Sequence, residues 1–325
     1  MIKPPKFWRS KNIIALALYP FSVLYSWISK SRYILQKPYR CNCKVICIGN
    51  ITLGGSGKTP LAIAIGELLI TQKFKIAYAC KNYGGSIAVP TQVSKTHTAS
   101  QVIDEAVLLS KTAPTFVAQD RKKAVNSACK AAKIVISDDG FQNNSFYKDL
   151  SILALPADKN LENNFIFPAG PLRESLNDGL NKADLTFMMN ETKNSHKKTR
   201  AIVEKYFSEE KIFKAISKYK LCGPQRKKYI AFCGIAHPSN FFITLDNLEI
   251  ELVDKLSYPD HYLYTKKDLS RLFTRAKESN AGLITTEKDL LRLSKDIQKK
   301  ISYLELKLEI LDKKRFLVKI KSLHN

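Results

Sequence analysis

Residues 49–60 read GNITLGGSGKTP. A glycine-rich loop ending in Gly-Lys-Thr limits what can surround it. Its backbone N–H groups can turn inward onto phosphate only where a strand feeds the loop and a helix leaves it. The usual spacing of such loops, G-x-x-x-x-G-K-[ST], is not met: five places before Gly57 stands Thr52, and Gly49 lies three earlier still. The segment is either a working nucleotide loop or a glycine-rich turn that resembles one.

Context favours the first. The apolar run KVICIGN (44–50) reads as a buried parallel strand. TPLAIAIGELLITQ (59–72) reads as a helix with Pro60 in its first turn. Thr52, Leu53, Gly54, Gly55, Ser56, Gly57, Lys58 and Thr59 are therefore the expected nucleotide-binding loop. Gly54, Gly55 and Gly57 supply the backbone freedom that the displaced first glycine does not. Lys58 would meet the terminal phosphates and Thr59 would offer its hydroxyl to magnesium. The companion element is an acid at the end of an apolar strand. KIVISDDG (133–140) places Asp138 and Asp139 there, as magnesium binding requires.

Further strands are expected at KIAYAC, TFVAQD and DLSILALP, and helices at QVIDEAVLLSKTA and DRKKAVNSACKAA. Alternating strands and helices predict an α/β fold with a mainly parallel sheet flanked by helices. Residues 190–210 are polar and lysine-rich, expected as a surface helix and loops. After LCGPQ (221–225), strand KYIAFCGI, helix SNFFITLDNL, a capping box on Thr265 and Asp268, strand GLITT and a closing strand SYLELKLEIL predict a second, smaller α/β unit. TTEKD (285–289) is open between a nucleotide-base contact and a helix cap on Thr286. The expected organisation is a helix within residues 1–40, a phosphate-loop unit over 41–222 and the smaller unit over 223–325, whose last strand is free to rejoin the first unit.

The net charge is +24, and ten Lys and Arg precede the first acid, Glu67. Such a balance attracts nucleic acid, an acidic membrane surface or a phosphorylated substrate. The basic N-terminus flanks an uncharged stretch, residues 12–29, which falls just short of the ~20 residues of a membrane-spanning helix. Pro20 also interrupts it. With Trp8, Tyr19, Tyr25 and Trp27 at headgroup level it suits a helix lying in a membrane interface. A buried core helix and a span are the alternatives. The seven cysteines lack the spacing of a structural zinc site and read as reduced thiols.

Taken in order, GNITLGGSGKTP, DDGFQ (138–142), FPAGPLRES (167–175), GIAHPSNF (234–241), PDHYLY (259–264) and TTEKDLLRL (285–293) resemble the tetraacyldisaccharide 4'-kinase family across nearly the whole chain. The displaced glycine belongs to that family's loop. The resemblance implies a P-loop NTPase that uses ATP and Mg2+. It would phosphorylate the 4'-hydroxyl of a tetraacylated glucosamine disaccharide 1-phosphate, a lipid A precursor. It also implies that the apolar N-terminus sits on the cytoplasmic face of the bacterial inner membrane, peripherally or monotopically; a monomer with an anionic membrane surface and no nucleic acid as partner is expected.

By the same resemblance, Asp104 is the base and His261 assists it from the second unit. A His–carboxylate pair is chemically sensible because each ion stabilises the charged form of the other. Lys58 and Arg173 neutralise charge, Thr59, Asp138 and Asp139 hold or support the metal, and Asn82, Gln142 and Glu174 contact the substrate. The other four histidines, His97, His196, His237 and His324, join no constellation. Three departures stand out: CKNYGG (80–85) for S-R-G-Y-G-G, IDEA (103–106) for G-D-E-P, and Asn143 for a histidine. Lys81 keeps a charge but loses the bidentate fork of arginine. These bear on turn geometry and substrate contacts more than on phosphoryl chemistry.

The rivals are a switch or metal-delivery NTPase and a nucleic-acid-dependent NTPase. Glu287-Lys288-Asp289 does not supply the N-K-x-D of a guanine site, and no nucleic-acid module is present.

Overall fold

The computed structural model describes residues 5–54, 57–157, 162–191 and 197–323. The first half builds strands β1 (Lys44–Gly49), β2 (Ile76–Lys81), β3 (Thr91–Gln92), β4 (Thr115–Ala118), β5 (Ile134–Asp138), β6 (Leu150–Pro156) and β7 (Leu185–Met189). Helices α1 (Ile13–Leu35), α2 (Lys58–Thr71), α3 (Ala99–Val102), α4 (Asp104–Ser110), α5 (Arg121–Ala131), α6 (Leu176–Lys182) and α7 (Lys197–Val203) accompany them. The second half contributes β8 (Ile212–Cys222), β9 (Lys228–Cys233), β10 (Glu251–Ser257), β11 (Gly282–Thr286) and β12 (Ser302–Ile310). Its helices are α8 (Pro238–Asn247), α9 (Lys266–Glu278), α10 (Glu287–Leu291), α11 (Lys295–Gln298) and α12 (Lys313–Lys321).

Among the described residues the twelve strands form one sheet, in the order β10-β9-β11-β12-β8-β7-β6-β1-β5-β2-β4-β3. Apart from the short β3, antiparallel to β4 at one edge, two parallel blocks of opposite sense meet where β12 runs antiparallel to β8, from Tyr303↔Cys222 to Ile310↔Ala215. β7 accompanies β8 only over Ile212–Ala215, and β11 accompanies β12 only over Ser302–Leu304. Between these stretches the sheet narrows to two strands. The apolar runs of β1, β2 and β5 are buried on both faces, as the continuous burial of their residues requires. One core packs Ile46, Ile48, Leu61, Ile65, Tyr78 and Ile136 beneath α2. Gly66 of α2 is obligatory there, since a Cβ would lie 1.9 Å from the Tyr78 hydroxyl.

Several expectations are corrected. The run 101–113 is not one helix. α3 and α4 are separated at Ile103, whose φ of 61° is left-handed and strained for a β-branched residue. The break makes Asp104 the first residue of a new helix. Cys43 and Cys129 are disulfide-bonded, so the thiols are not all free. They come together because β1 pairs with β5 and α5 leads directly into β5.

The N-terminal helix is longer than its uncharged stretch suggests. α1 runs unbroken through Pro20 for 23 residues, and only 11% of its most apolar window is buried, which excludes a core helix. It docks along one narrow stripe. Ser22 donates to the Ile166 carbonyl (2.7 Å) and accepts from Ala169 N (3.0 Å), Asn144 donates to the carbonyls of Tyr33 and Gln36, and Lys30 pairs with Asp178 at 2.8 Å. Tyr19 and Tyr25 rest on Phe165 and Phe167. Leu16, Phe21, Leu24 and Trp27 point outward. Trp8 does not join them at an exposed level: it is buried and donates its indole N–H to the Pro168 carbonyl.

Candidate active site

The displaced glycine has a packing reason. A Cβ on Gly49 would stand 2.2 Å from Cβ of Phe141, so the end of β1 and the DDGFQ turn touch backbone to side chain. The left-handed turns that the loop needs fall at Gly54 (φ 99°) and Gly57 (φ 77°), the latter the N-cap of α2. Gly55 and Ser56 lie outside the described residues. Thr52 bridges Leu172, Leu53 N donates to the Pro171 carbonyl, and Arg173 N donates to the Ile51 carbonyl. These contacts lay the PAGPLRE segment against the loop and bring Arg173 to it.

Parallel pairing of Ile48 with Asp138 sets the acids beside the loop. Thr59 donates its hydroxyl to Asp138 Oδ2 at 2.7 Å. Burial pushes the Asp138 carboxyl up to about 6, opposed by the Thr59 hydrogen bond and by Lys58 and reinforced by Asp139. Its Oδ1 is buried without a hydrogen-bond partner. Asp139, at φ 54°, accepts from Arg173 Nη1 (3.0 and 3.1 Å) and stands 3.4 Å from Lys58 Nζ. Burial would raise its carboxyl, but Lys58, Arg173 and Arg121 hold it below the usual range. Burial lowers the Lys58 ammonium, which donates to Asn50 Oδ1 at 3.0 Å.

The hydroxyl of Thr59 and the unpaired carboxylate oxygen of Asp138 form a hard-oxygen donor set that fits Mg2+. Among the described residues no group of three His, Cys, Asp or Glu converges for a metal.

Gln142 donates to the Asn50 carbonyl (2.7 Å) and to Glu174 (2.9 Å), and Lys182 pairs with Glu174 at 2.6 Å. Together with Arg173 and with Lys30 and Tyr33 of α1, these side chains line a polar cleft under the N-terminal helix. Asn82 is not in it. Its side chain is fully buried and donates to the carbonyls of Ile87 and Gln101, so the direct substrate contact expected of it is replaced by a hold on the 82–87 turn.

The acceptor-side pair is assembled across the chain. His261 Nδ1 lies 3.7 Å from Asp104 Oδ1, with His261 at φ 58° and its backbone N–H donating to Gly234 O. Burial would raise the Asp104 carboxyl. Its hydrogen bond at Glu105 and the charges of Lys288, Arg292 and His261 hold it well below the usual carboxylate range. Glu105 and Lys288, which adjoin Asp104, are also within electrostatic reach of Asp138.

Arg292, Lys288 and Asn50 were not singled out from the sequence. For Arg292 and Lys288 the signal was TTEKDLLRL, which explains itself locally: Thr286 accepts from Asp289 N as an N-cap. Asn50 follows directly on β1, inside the quoted loop motif. His237 also went unassigned, yet its ring faces Gly54, 3.1 Å from where a Cβ would stand.

The model of the tetraacyldisaccharide-1-P 4'-kinase family matches residues 14–325. The tetraacyldisaccharide 4'-kinase of Rickettsia akari is 35% identical over 308 residues, covering 94% of this chain and 93% of that protein. The enzyme of Rickettsia felis is 36% identical over the same length. A crystal structure of LpxK from Aquifex aeolicus in complex with ATP superposes with a TM-score of 0.76 at 25% identity, covering 96% of this chain and 99% of that one. A phosphate loop with its paired acids, a His–carboxylate pair drawn from the two halves and these matches over nearly the whole chain lead to one assignment: the chain belongs to the tetraacyldisaccharide 4'-kinase family.

Proposed function

We propose that this protein transfers the γ-phosphate of ATP to the 4'-hydroxyl of a tetraacylated glucosamine disaccharide 1-phosphate, a step of lipid A synthesis. The observation that carries the reading is the Thr59–Asp138 pair beside the phosphate loop, with Asp104 and His261 3.7 Å apart on the acceptor side. In this reading the nucleotide site and the proton acceptor face one space.

In this reading the backbone of 52–59 cradles the phosphates and Lys58 leaves Asn50 and Asp139 for the β- and γ-phosphates. Thr59 and Asp138 hold Mg2+, which supplies charge neutralisation on the phosphates when bound, and Asp139 supports that shell while fixing Arg173. The acceptor sugar enters the cleft under α1, where Gln142, Glu174 and Lys182 offer donors and acceptors to its hydroxyls. The 4'-oxygen bonds to the γ-phosphorus, the bond from that phosphorus to the β,γ-bridging oxygen breaks, and ADP departs. The hydroxyl proton passes to the Asp104–His261 pair. A loose transition state keeps that proton late, so Asp104, held well below the usual carboxylate range, serves by orienting the hydroxyl rather than as a strong base.

The apolar outer face of α1 suits membrane association. Its docking along Ser22, Lys30 and Tyr33 supports a helix lying in the interface, on the cytoplasmic side where ATP is available, because lipid cannot surround a helix held along its length. The monomer acts as two units, 41–222 and 223–325, with β12 returning beside β8.

The direct test is transfer of label from [γ-32P]ATP to detergent-dispersed disaccharide 1-phosphate. Wild-type protein should label the lipid, and Lys58→Ala should lose about 10^3-fold or more. A folded, ATP-binding wild-type protein that leaves the lipid unlabelled would refute the assignment.

A further inference from the structure

Resting on the proposed roles of Asp104 and His261, we propose that Arg292 is the positioning residue of the phosphate-acceptor side. Its guanidinium is the joint that holds the base of one half against the histidine of the other.

The geometry is that of a hub. Arg292 follows α10 and its side chain is 3% exposed. Nη1 donates to the Gly234 carbonyl at 2.8 Å and to Asp289 Oδ1 at 2.9 Å. Nη2 donates to Asp104 Oδ2 and lies 3.4 Å from His261 Nδ1. The Gly234 peptide is itself shared. Its N–H donates to Asp289 Oδ1, and its carbonyl accepts the backbone N–H of His261 as well as Arg292. No side chain fits at Gly234, where a Cβ would meet the Pro259 carbonyl at 2.9 Å and Asp289 Oδ1 at 3.2 Å. One guanidinium and one peptide therefore fix the position of His261, whose left-handed backbone would otherwise be costly.

Three consequences follow for the reacting pair. Arg292 occupies Asp104 Oδ2, which leaves Oδ1 as the oxygen turned to His261. The imidazole itself stands between charged neighbours: Nδ1 faces Asp104 Oδ1 and Arg292 Nη2, and Nε2 lies 3.9 Å from Asp260 Oδ1. The fork geometry also matters: only a guanidinium presents two nitrogens in a fixed plane, one to each half of the molecule. Lysine would keep the charge and lose the bridge.

Burying a charge here has a compensating logic. Asp289 is fully buried and would be unpaired without Arg292, apart from its hydrogen bonds from Tyr264, Thr286 and Gly234. Buried ion pairs are weak devices for stability but effective ones for fixing a single arrangement. Lys288 pairs with Glu105 and Lys111 with Glu287, so α10 meets α4 and its C-cap through further ion pairs beside the Arg292–Asp104 contact.

The experiment measures kcat and KM for ATP and for the disaccharide acceptor in full-length Arg292→Lys and Arg292→Gln. Asp104→Ala, His261→Ala and the double variant Arg292→Lys/His261→Ala are measured alongside. Folding is checked by thermal melting and by binding of a non-hydrolysable ATP analogue. Arg292→Lys is expected to lower kcat about 10-fold and Arg292→Gln about 100-fold, with KM for ATP within about threefold of wild type. In the His261→Ala background, Arg292→Lys should cost less than about threefold more, because the group it positions is gone.

A kcat within threefold of wild type in both Arg292 variants would overturn the proposal, as would a fully multiplicative double variant. A loss confined to KM for ATP or to the melting temperature would also overturn it, since that describes a structural residue. If Asp104→Ala and His261→Ala both keep wild-type turnover, the base assignment falls and this inference with it. If they lose turnover while Arg292→Lys and Arg292→Gln do not, only the inference about Arg292 falls. Should Arg292→Gln fail to bind the analogue, Arg292→Lys alone decides.

Discussion

Burial pushes the Asp138 carboxyl up to about 6, so ionising it at neutral pH works against the folded state. Between the ordinary carboxylate pKa and about 6 the native protein binds the proton more tightly than the unfolded chain. The contribution to stability therefore falls as pH rises through that window and is fully unfavourable above it. Asp138→Asn removes the charge while its amide oxygen still accepts from Thr59. In metal-free buffer at pH 8 it should be about 2 kcal/mol more stable than wild type by thermal melting, and the gain should vanish near pH 4. The same variant should lose nearly all turnover, the expected trade between stability and activity at such a site. A variant no more stable than wild type at pH 8 would show that relaxation already offsets the burial. At this scale the sequence was informative where chemistry is local. Lys58, Thr59, Asp138 and Asp139 sit at the expected loop and strand end because adjacent parallel strands bring them there. Asn82 misled because its place in a quoted motif said nothing of which way its amide turns. Arg292 was hidden because only Asp289 among its partners is local, while the others lie 188, 58 and 31 residues away and no local pattern marks such convergence.

Burial alone did not make an element legible: β7 is buried throughout, yet its run LTFMM was not among the expected strands. β1, β2, β4, β5 and β6 are apolar runs buried on both faces, and each falls where its sequence places it. β10 was missed because it lies at the edge of the sheet with alternate residues exposed, Glu251, Val253, Lys255 and Ser257, which dilutes the apolar signal. The break between α3 and α4 was invisible because Ile103 is a residue that rarely adopts a positive φ. Two predictions belong here. Gly66→Ala should destabilise the protein by about 1–3 kcal/mol in chemical unfolding, because its methyl group would enter the space of the Tyr78 hydroxyl where α2 crosses β2. A neutral result would mean that α2 shifts freely over the sheet. On α1, replacing Phe21, Leu24 and Trp27 by serine should weaken co-sedimentation with anionic vesicles at least 10-fold and leave binding of ATP unchanged. Equal vesicle binding by both proteins would transfer the membrane role from this face to the basic surface.

For the molecule as a whole, the order of strands explains how Asp104 and His261 meet. The two halves of the sheet run in opposite senses and join through β8 and β12, so α4 of the first half and α10 of the second are brought face to face. The alternation of strands and helices foretold the α/β class. The register of that junction was not legible, because Ile212–Cys222 is lysine-rich and half exposed and reads as surface. With spin labels placed on α5 and α9, the distribution of distances should narrow when an ATP analogue and the lipid acceptor are added together. A distribution unchanged by both ligands would count against closure around the substrates.

The narrow waist of the sheet has a mechanical meaning. Over Ile216–Lys220 and Glu305–Glu309 the two halves are carried by a ribbon only two strands wide, and such ribbons twist more readily than broad sheets. The ribbon acts as a leaf spring, stiff against stretching because its hydrogen-bonded pairs are continuous, yet compliant in torsion. Small rotations at the waist are magnified at the far end, where His261 and Arg292 sit. Torsion of this strip would therefore change how the Asp104 side of the molecule meets the His261 side, a rotation that the label distances between α5 and α9 would report.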